Sequence, residues 1–162
     1  KLSTKLDRLI VRDPAQPVDR ELMAFLEQAD DNRSPETADA LLEAVVSVCQ
    51  ALAEANQPFR LAWNEDVIHI FDVSNSEALP EAVSAILKSR RNLAQICGTE
   101  LYQKTKGDTD VGAVLYFCSA QPDDPFPSAR TQVYLCGDGN GENVTAFTPQ
   151  NMTDVLSGLT WS

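Results

Sequence analysis

The stretch Glu21-Leu-Met-Ala-Phe-Leu-Glu-Gln-Ala-Asp-Asp-Asn32 decides how the chain is read. Its apolar half places Leu22, Met23, Phe25 and Leu26 on both sides of an extended chain, which predicts a strand over 20–26 covered on both faces. Such a strand belongs in the middle of a parallel sheet flanked by helices. The run then stops at Glu27, Asp30 and Asp31, at the carboxyl edge where sheets of this kind gather ligands. Whether these acids form a metal site, the remnant of one or a solvated loop is the question the sequence raises.

Helices and strands alternate on either side of this stretch. Downstream, Ser34 is a cap and Pro35 suits a first helical turn. Leu41, Leu42, Val45, Val48, Cys49 and Leu52 then recur at helical spacing, and Asn56-Gln57-Pro58 closes the helix. Strands are predicted at 59–63 and 67–73 around the turn Asn64-Glu65-Asp66, with Val67, His69 and Phe71 on one face and Ile68 and Ile70 on the other. Helical patterns follow at 77–89 and 92–105, then a polar loop over 104–110 and a second buried-type strand at 111–118. The three prolines of 121–128 mark a loop, 131–136 and 144–147 read as strands, and Thr148-Pro149 opens a last helix through about Leu156. Upstream, 6–13 reads as an extended piece, broken from the rest by Pro14 and Pro17.

This alternation implies an α/β fold: a three-layer α/β/α sandwich on a mostly parallel sheet with one antiparallel edge hairpin. The expected organisation is an N-terminal extended segment, 1–18, continuing from sequence upstream, and a single domain, 19–162.

Composition narrows the function classes. The chain has 162 residues, 43% of them hydrophobic, and its 13 Lys+Arg against 24 Asp+Glu give a formal charge of -11. So acidic a surface repels phosphate backbones and anionic lipid, which argues against nucleic acid and direct membrane contact. No apolar run approaches the ~20 residues that span a bilayer. Cys49, Cys97, Cys118 and Cys136 form no C-x-x-C pair and each lies in an apolar segment, as buried core thiols in a reducing compartment do. With one histidine in the chain, zinc is not expected.

If the strands at 20–26 and 111–118 are neighbours, the loops after them meet. Glu27, Asp30 and Asp31 then face Ser119, Asp123 and Asp124, oxygen donors of the kind that hold Mg²⁺. Solvated loop acids near a helix N-terminus are the favoured reading of the same residues. The stretch Gly137-Asp-Gly-Asn-Gly141 leads towards a strand and not a helix, so it reads as a turn and not a phosphate cradle. There is no Walker-type motif and no G-x-S-x-G elbow. His69 reads as a partly exposed structural residue, and Trp63 and Trp161 as packing side chains. No catalytic residue is expected.

Several segments resemble the family called domain of unknown function 58. They are Lys1-Leu-Ser, Arg8-Leu-Ile-Val-Arg-Asp13, Pro17-Val-Asp-Arg-Glu-Leu-Met-Ala-Phe-Leu26, Ala40-Leu-Leu-Glu-Ala-Val45 with Ser47, and Pro58-Phe-Arg-Leu-Ala-Trp63. The resemblance implies a von Willebrand factor A-like fold in a bacterial protein anchored in the cell membrane, with this domain on the cytoplasmic side. It also implies a MoxR-type AAA+ ATPase as partner. Metal-competent domains of that fold carry D-x-S-x-S after the first strand, and the corresponding positions here are Glu27, Ala29 and Asp31. Both hydroxyl ligands are lost, which implies a degenerate metal site and no cofactor.

The expectation is therefore a non-catalytic protein-interaction scaffold whose recognition loops include 27–34, 104–110 and 119–128. The alternative is a metal-dependent hydrolase or phosphoryl-transfer enzyme that uses the strand-end acids to bind Mg²⁺.

Overall fold

The computed structural model describes residues 22–29, 34–89, 97–106, 112–119, 131–137, 144–151 and 154–155. The extended piece at 6–13, the loop at 121–128, Trp161, and Asp30, Asp31, Asp123 and Asp124 lie outside the described residues.

Leu22–Leu26 (β1) is a strand with all five residues buried, as its two-sided apolar pattern requires. It sits inside a six-stranded sheet ordered β3-β2-β1-β4-β5-β6. The other strands are Phe59–Asn64 (β2), Ile68–Val73 (β3), Ala113–Cys118 (β4), Thr131–Cys136 (β5) and Val144–Phe147 (β6). β1 pairs in parallel with β2 and β4, β4 with β5, and β5 with β6; β2 and β3 form the antiparallel pair.

The helices are Pro35–Glu54 (α1), Leu79–Ser89 (α2) and Gly98–Lys106 (α3). Side chains alternate across the sheet and feed two cores. On one face Leu22, Ala24, Leu26, Leu61, Trp63, Leu115 and Phe117 pack beneath Leu41, Val45, Val48 and Leu52 of α1 and Ile86 of α2. On the other, Met23, Phe25, Ala62, Val114, Tyr116 and Leu135 pack with Tyr102 of α3. Each fully buried side chain of this size contributes roughly 1.5–3 kcal/mol. The architecture is the three-layer α/β/α sandwich that the alternation predicts.

The helix caps follow the sequence signals. The Ser34 hydroxyl accepts from Thr37 N–H at the start of α1. At its end Asn56 takes φ 57, Asn56 N–H donates to Ala53 and Gln57 N–H to Leu52. This left-handed closure suits Asn better than a side chain without a local polar group. Thr148 and Asn151 exchange side-chain-to-backbone hydrogen bonds in a turn over 149–151, and Val155 N–H returns to Asn151 C=O in a helical turn; 152–153 and 156 of the predicted last helix lie outside the described residues.

Three details differ from the sequence expectation. Asn64 ends β2 with its side chain buried, and the hairpin bend runs over Glu65, Asp66 and Val67, so Val67 is exposed and not part of β3. α3 starts at Gly98 with Cys97 outside the helix, and 92–96 of the predicted 92–105 lie outside the described residues. Cys49, Cys118 and Cys136 are buried, but Cys97, at the start of α3, is partly exposed. Among the described residues, no helix is long and apolar enough to cross a membrane.

Candidate functional site at the carboxyl edge of the sheet

β1 and β4 are parallel neighbours at the point where the strand order reverses, so their carboxyl ends flank the crevice in which open α/β sheets bind ligands. Glu27 is the first residue past β1 there. Its N–H continues the ladder to Phe117 C=O at 2.9 Å. Its side chain lies on the α3 side of the sheet, following Met23 and Phe25, and the residue is 5% exposed.

Five donors converge on this carboxylate. Oε1 accepts from the Tyr116 hydroxyl at 2.6 Å, from Gly98 N–H at 2.7 Å and from the Cys97 thiol at 3.4 Å. Oε2 accepts from Asn64 Nδ2 at 2.6 Å and from Ala29 N–H at 2.9 Å. The donors come from β4, β2, the loop after β1 and the N-terminus of α3, where Leu101 N–H bonds to Cys97 C=O and marks Cys97 as the cap. Gly98 N–H is one of the four donors that a helix leaves without an internal partner. A carboxylate at that end also complements the helix dipole. The place where such helices bind phosphate or carboxylate ligands is thus occupied by a carboxylate of the chain itself.

Gly98 permits the approach. A Cβ at that position would lie 2.4 and 2.7 Å from two ring carbons of Phe25 and 3.0 Å from Glu27 Oε1. Phe25 is fully buried, so its ring could make room only by disturbing the core around it.

The next residue secures the opposite layer. Gln28 N–H donates to Asn64 Oδ1 at 2.7 Å, and Gln28 Nε2 donates to Ser89 Oγ at 2.7 Å. The Ser89 hydroxyl in turn donates to Ile86 C=O in the last turn of α2. Consecutive residues after β1 therefore hold the start of α3 on one face and the end of α2 on the other, with the Asn64 amide bridging them.

The environment of the carboxylate shapes its neighbour. The Tyr116 phenol is held far above its ordinary range, first by burial and then by the negative charge and hydrogen bond of Glu27. It remains a neutral donor.

Of the six candidate acids and hydroxyl, Glu27 is engaged as described. Ser119 follows β4, is partly exposed and is not among the groups bonded to Glu27. Among the described residues, no group of three or more His, Cys, Asp or Glu is arranged to hold a metal ion. Asn64, Tyr116 and Gly98 are the site residues that sequence reasoning missed. An Asn on the strand next to β1, at the level of its end, is the signal that could have found the first of them.

His69 is half-exposed on edge strand β3, in register with Trp63. The Trp63 indole is buried, stacks on His69 at 5.5 Å and on Phe71 at 5.8 Å, and donates to Glu65 Oε2 at 2.7 Å. His69 Nε2 lies 3.2 Å from the same oxygen. This is hairpin packing, as expected for both rings.

Compared with known proteins, the chain matches no family model, and no curated protein matches it.

Proposed function

We propose that this chain is a non-catalytic protein-interaction domain of von Willebrand factor A type, akin to the domain of unknown function 58 family. On this reading it is the cytoplasmic part of a larger, membrane-anchored bacterial protein that works with a MoxR-type AAA+ ATPase. The observation that carries the reading is the state of Glu27. At the ligand-binding crevice of the fold, the acid that stands at the first metal-ligand position accepts five hydrogen bonds from the protein. Ala29 stands where a hydroxyl ligand would be expected, and its N–H is directed at the same carboxylate. A hard cation would have to displace N–H and O–H donors and would find fewer oxygens than its octahedral shell needs. The strand order and the single antiparallel edge strand support the fold part of the proposal.

Thermal melting with and without 10 mM Mg²⁺ or Mn²⁺ tests it. The expected outcome is an unchanged Tm. A site with a dissociation constant near 0.1 mM would add about 3 kcal/mol, roughly 5–10 °C for a chain of this size. A rise of that size, abolished in Glu27→Ala, would replace the scaffold reading with a metal-dependent enzyme. Affinity capture against the purified AAA+ ATPase of the source organism tests the partner.

A further inference from the structure

The two edges of the sheet differ. β6, at one edge, is four residues long, and shortness is one of the ways proteins keep an edge from recruiting another chain. β3, at the other, has six residues, each paired with β2 from Phe59↔Val73 to Asn64↔Ile68 with no bulge. Its sequence Ile-His-Ile-Phe-Asp-Val contains no Pro and no Lys. Length without bulge, Pro or Lys leaves Asp72 as the one charged guard on the strand itself. Ile68, His69, Ile70 and Phe71 are all partly exposed. Alternate residues of such a strand turn their N–H and C=O groups away from its partner. Among the described residues no strand pairs with that outer side.

The charge around this edge selects what can use it. From Phe59 to Glu81 the chain carries five carboxylates, Glu65, Asp66, Asp72, Glu77 and Glu81, against a single cation, Arg60, and the exposed Lys104 of α3, which packs near β3, is paired with Glu100 at 3.2 Å. Arg60 is itself bonded to Asp72 at 2.9 Å. A second copy of the chain would bring an equally acidic row alongside, within a molecule of net charge -11. Like charges facing each other across a strand pair are unfavourable, so self-pairing is opposed and a basic partner is drawn in.

We propose that β3 receives an extended, Lys/Arg-bearing segment of a protein partner by strand addition, the sheet growing by one strand at this edge. The inference rests on the interaction-domain reading and gives that domain a surface other than its carboxyl-edge loops. Backbone pairing supplies the affinity and side chains the selection. The added strand lies against Ile68 and Ile70 on the α3 face and against His69 and Phe71 on the α2 face. Asp66 and Asp72 stand near the two ends of β3, six residues apart, or about 20 Å of extended chain. The fitting segment therefore has an apolar centre of about four residues with Lys or Arg on both flanks.

The test uses a pool of ten-residue peptides with Val, Ile, Phe or Tyr at the four central positions and Lys or Arg on either side. Amide hydrogen exchange of the full chain is followed with each peptide, with its Asp/Glu-flanked counterpart, and with a version N-methylated at alternate central residues. Binders are expected to slow exchange within 68–73, the acidic counterparts to have no effect, and N-methylation to abolish protection while leaving charge unchanged. The double substitution Asp66→Lys, Glu77→Lys, at exposed positions, is expected to weaken binding several-fold without lowering Tm. Peptides that bind equally well when N-methylated, or a pool in which none protects 68–73, would overturn the proposal. Capture of the AAA+ ATPase with 68–73 still exchanging freely would sink strand addition and leave the interaction reading standing. Protection by peptides without any ATPase capture would uphold strand addition and remove the ATPase as the partner.

Discussion

Replacing Glu27 with Gln is the sharpest probe of the carboxyl edge, because it keeps shape and removes one acceptor. In either orientation the new NH₂ faces groups that now donate. Turned towards Oε2's partners, it meets Asn64 Nδ2 and Ala29 N–H; turned the other way, it meets the Tyr116 hydroxyl, Gly98 N–H and the Cys97 thiol. The phenol can rotate, but a main-chain N–H cannot, and flipping Asn64 would sacrifice its bond from Gln28 N–H. At least two hydrogen bonds to an ionised group are lost at a buried residue, each worth about 1.5–3 kcal/mol. The expected cost is about 3–6 kcal/mol, a large share of the ~5–15 kcal/mol that holds a domain together. Urea denaturation should show a lower midpoint at unchanged slope, since the surface exposed on unfolding is the same. Tyr116→Phe removes one donor and should cost about 1–3 kcal/mol. The double variant should lose less than the two single losses added, because the same bond is counted in both. A Glu27→Gln cost below about 1 kcal/mol, or strict additivity with Tyr116→Phe, would refute the account of this carboxylate as a structural hub.

Other predictions follow from the same structure. Gly98→Ala should destabilise by about 1–3 kcal/mol despite alanine's better helix propensity, because its Cβ would overlap the buried Phe25 ring; an unchanged or raised urea midpoint would contradict this. Asn56→Ala should cost about 1 kcal/mol at φ 57, whereas Asn56→Gly should be close to neutral, as thermal melts of the pair would show. Burial raises the Cys49 thiol above its ordinary 9.0 and the Tyr134 phenol above its ordinary 10.0; burial and then Glu27 raise Tyr116 from the same 10.0. The folded chain keeps three protons that the unfolded chain releases, so this stability is intact below pH 9 and declines as pH rises past 9–10. Its slope approaches about 4 kcal/mol per pH unit once all three are ionised only in the unfolded state. Urea midpoints between pH 8 and 11 measure it, and a flat profile would mean that these groups are not buried as described.

Local chemistry made most of the fold legible. A two-sided apolar run can be satisfied only between two layers, so Leu22 to Leu26 announced the sandwich, and Ser34, Asn56 and Thr148 announced helix ends through bonds that span three or four residues. The site was legible in its location and not in its wiring. Glu27 meets Asn64, Gly98 and Tyr116 across separations of 37, 71 and 89 residues. No periodicity encodes such meetings. Asn64 read as a turn residue because Asn favours turns; its use as a two-way bridge depends on β2 lying beside β1. Gly98 carried no signal, because its role comes from how closely α3 descends onto Phe25.

These distances bear on what a strand-end acid means. A carboxylate that ends a sheet strand looks the same in sequence whether it serves a cation or a helix. Here its removal would take away the carboxylate to which Gly98 N–H, Ala29 N–H and Asn64 Nδ2 donate around a nearly inaccessible residue, a penalty that exists with or without any ion. Hydroxyls at the neighbouring positions carry no comparable obligation, since Ala29 contributes through its main chain alone. A hydroxyl at position 29 would therefore be dispensable to the fold where the acid is not, and packing by itself is reason enough for a Glu at this edge.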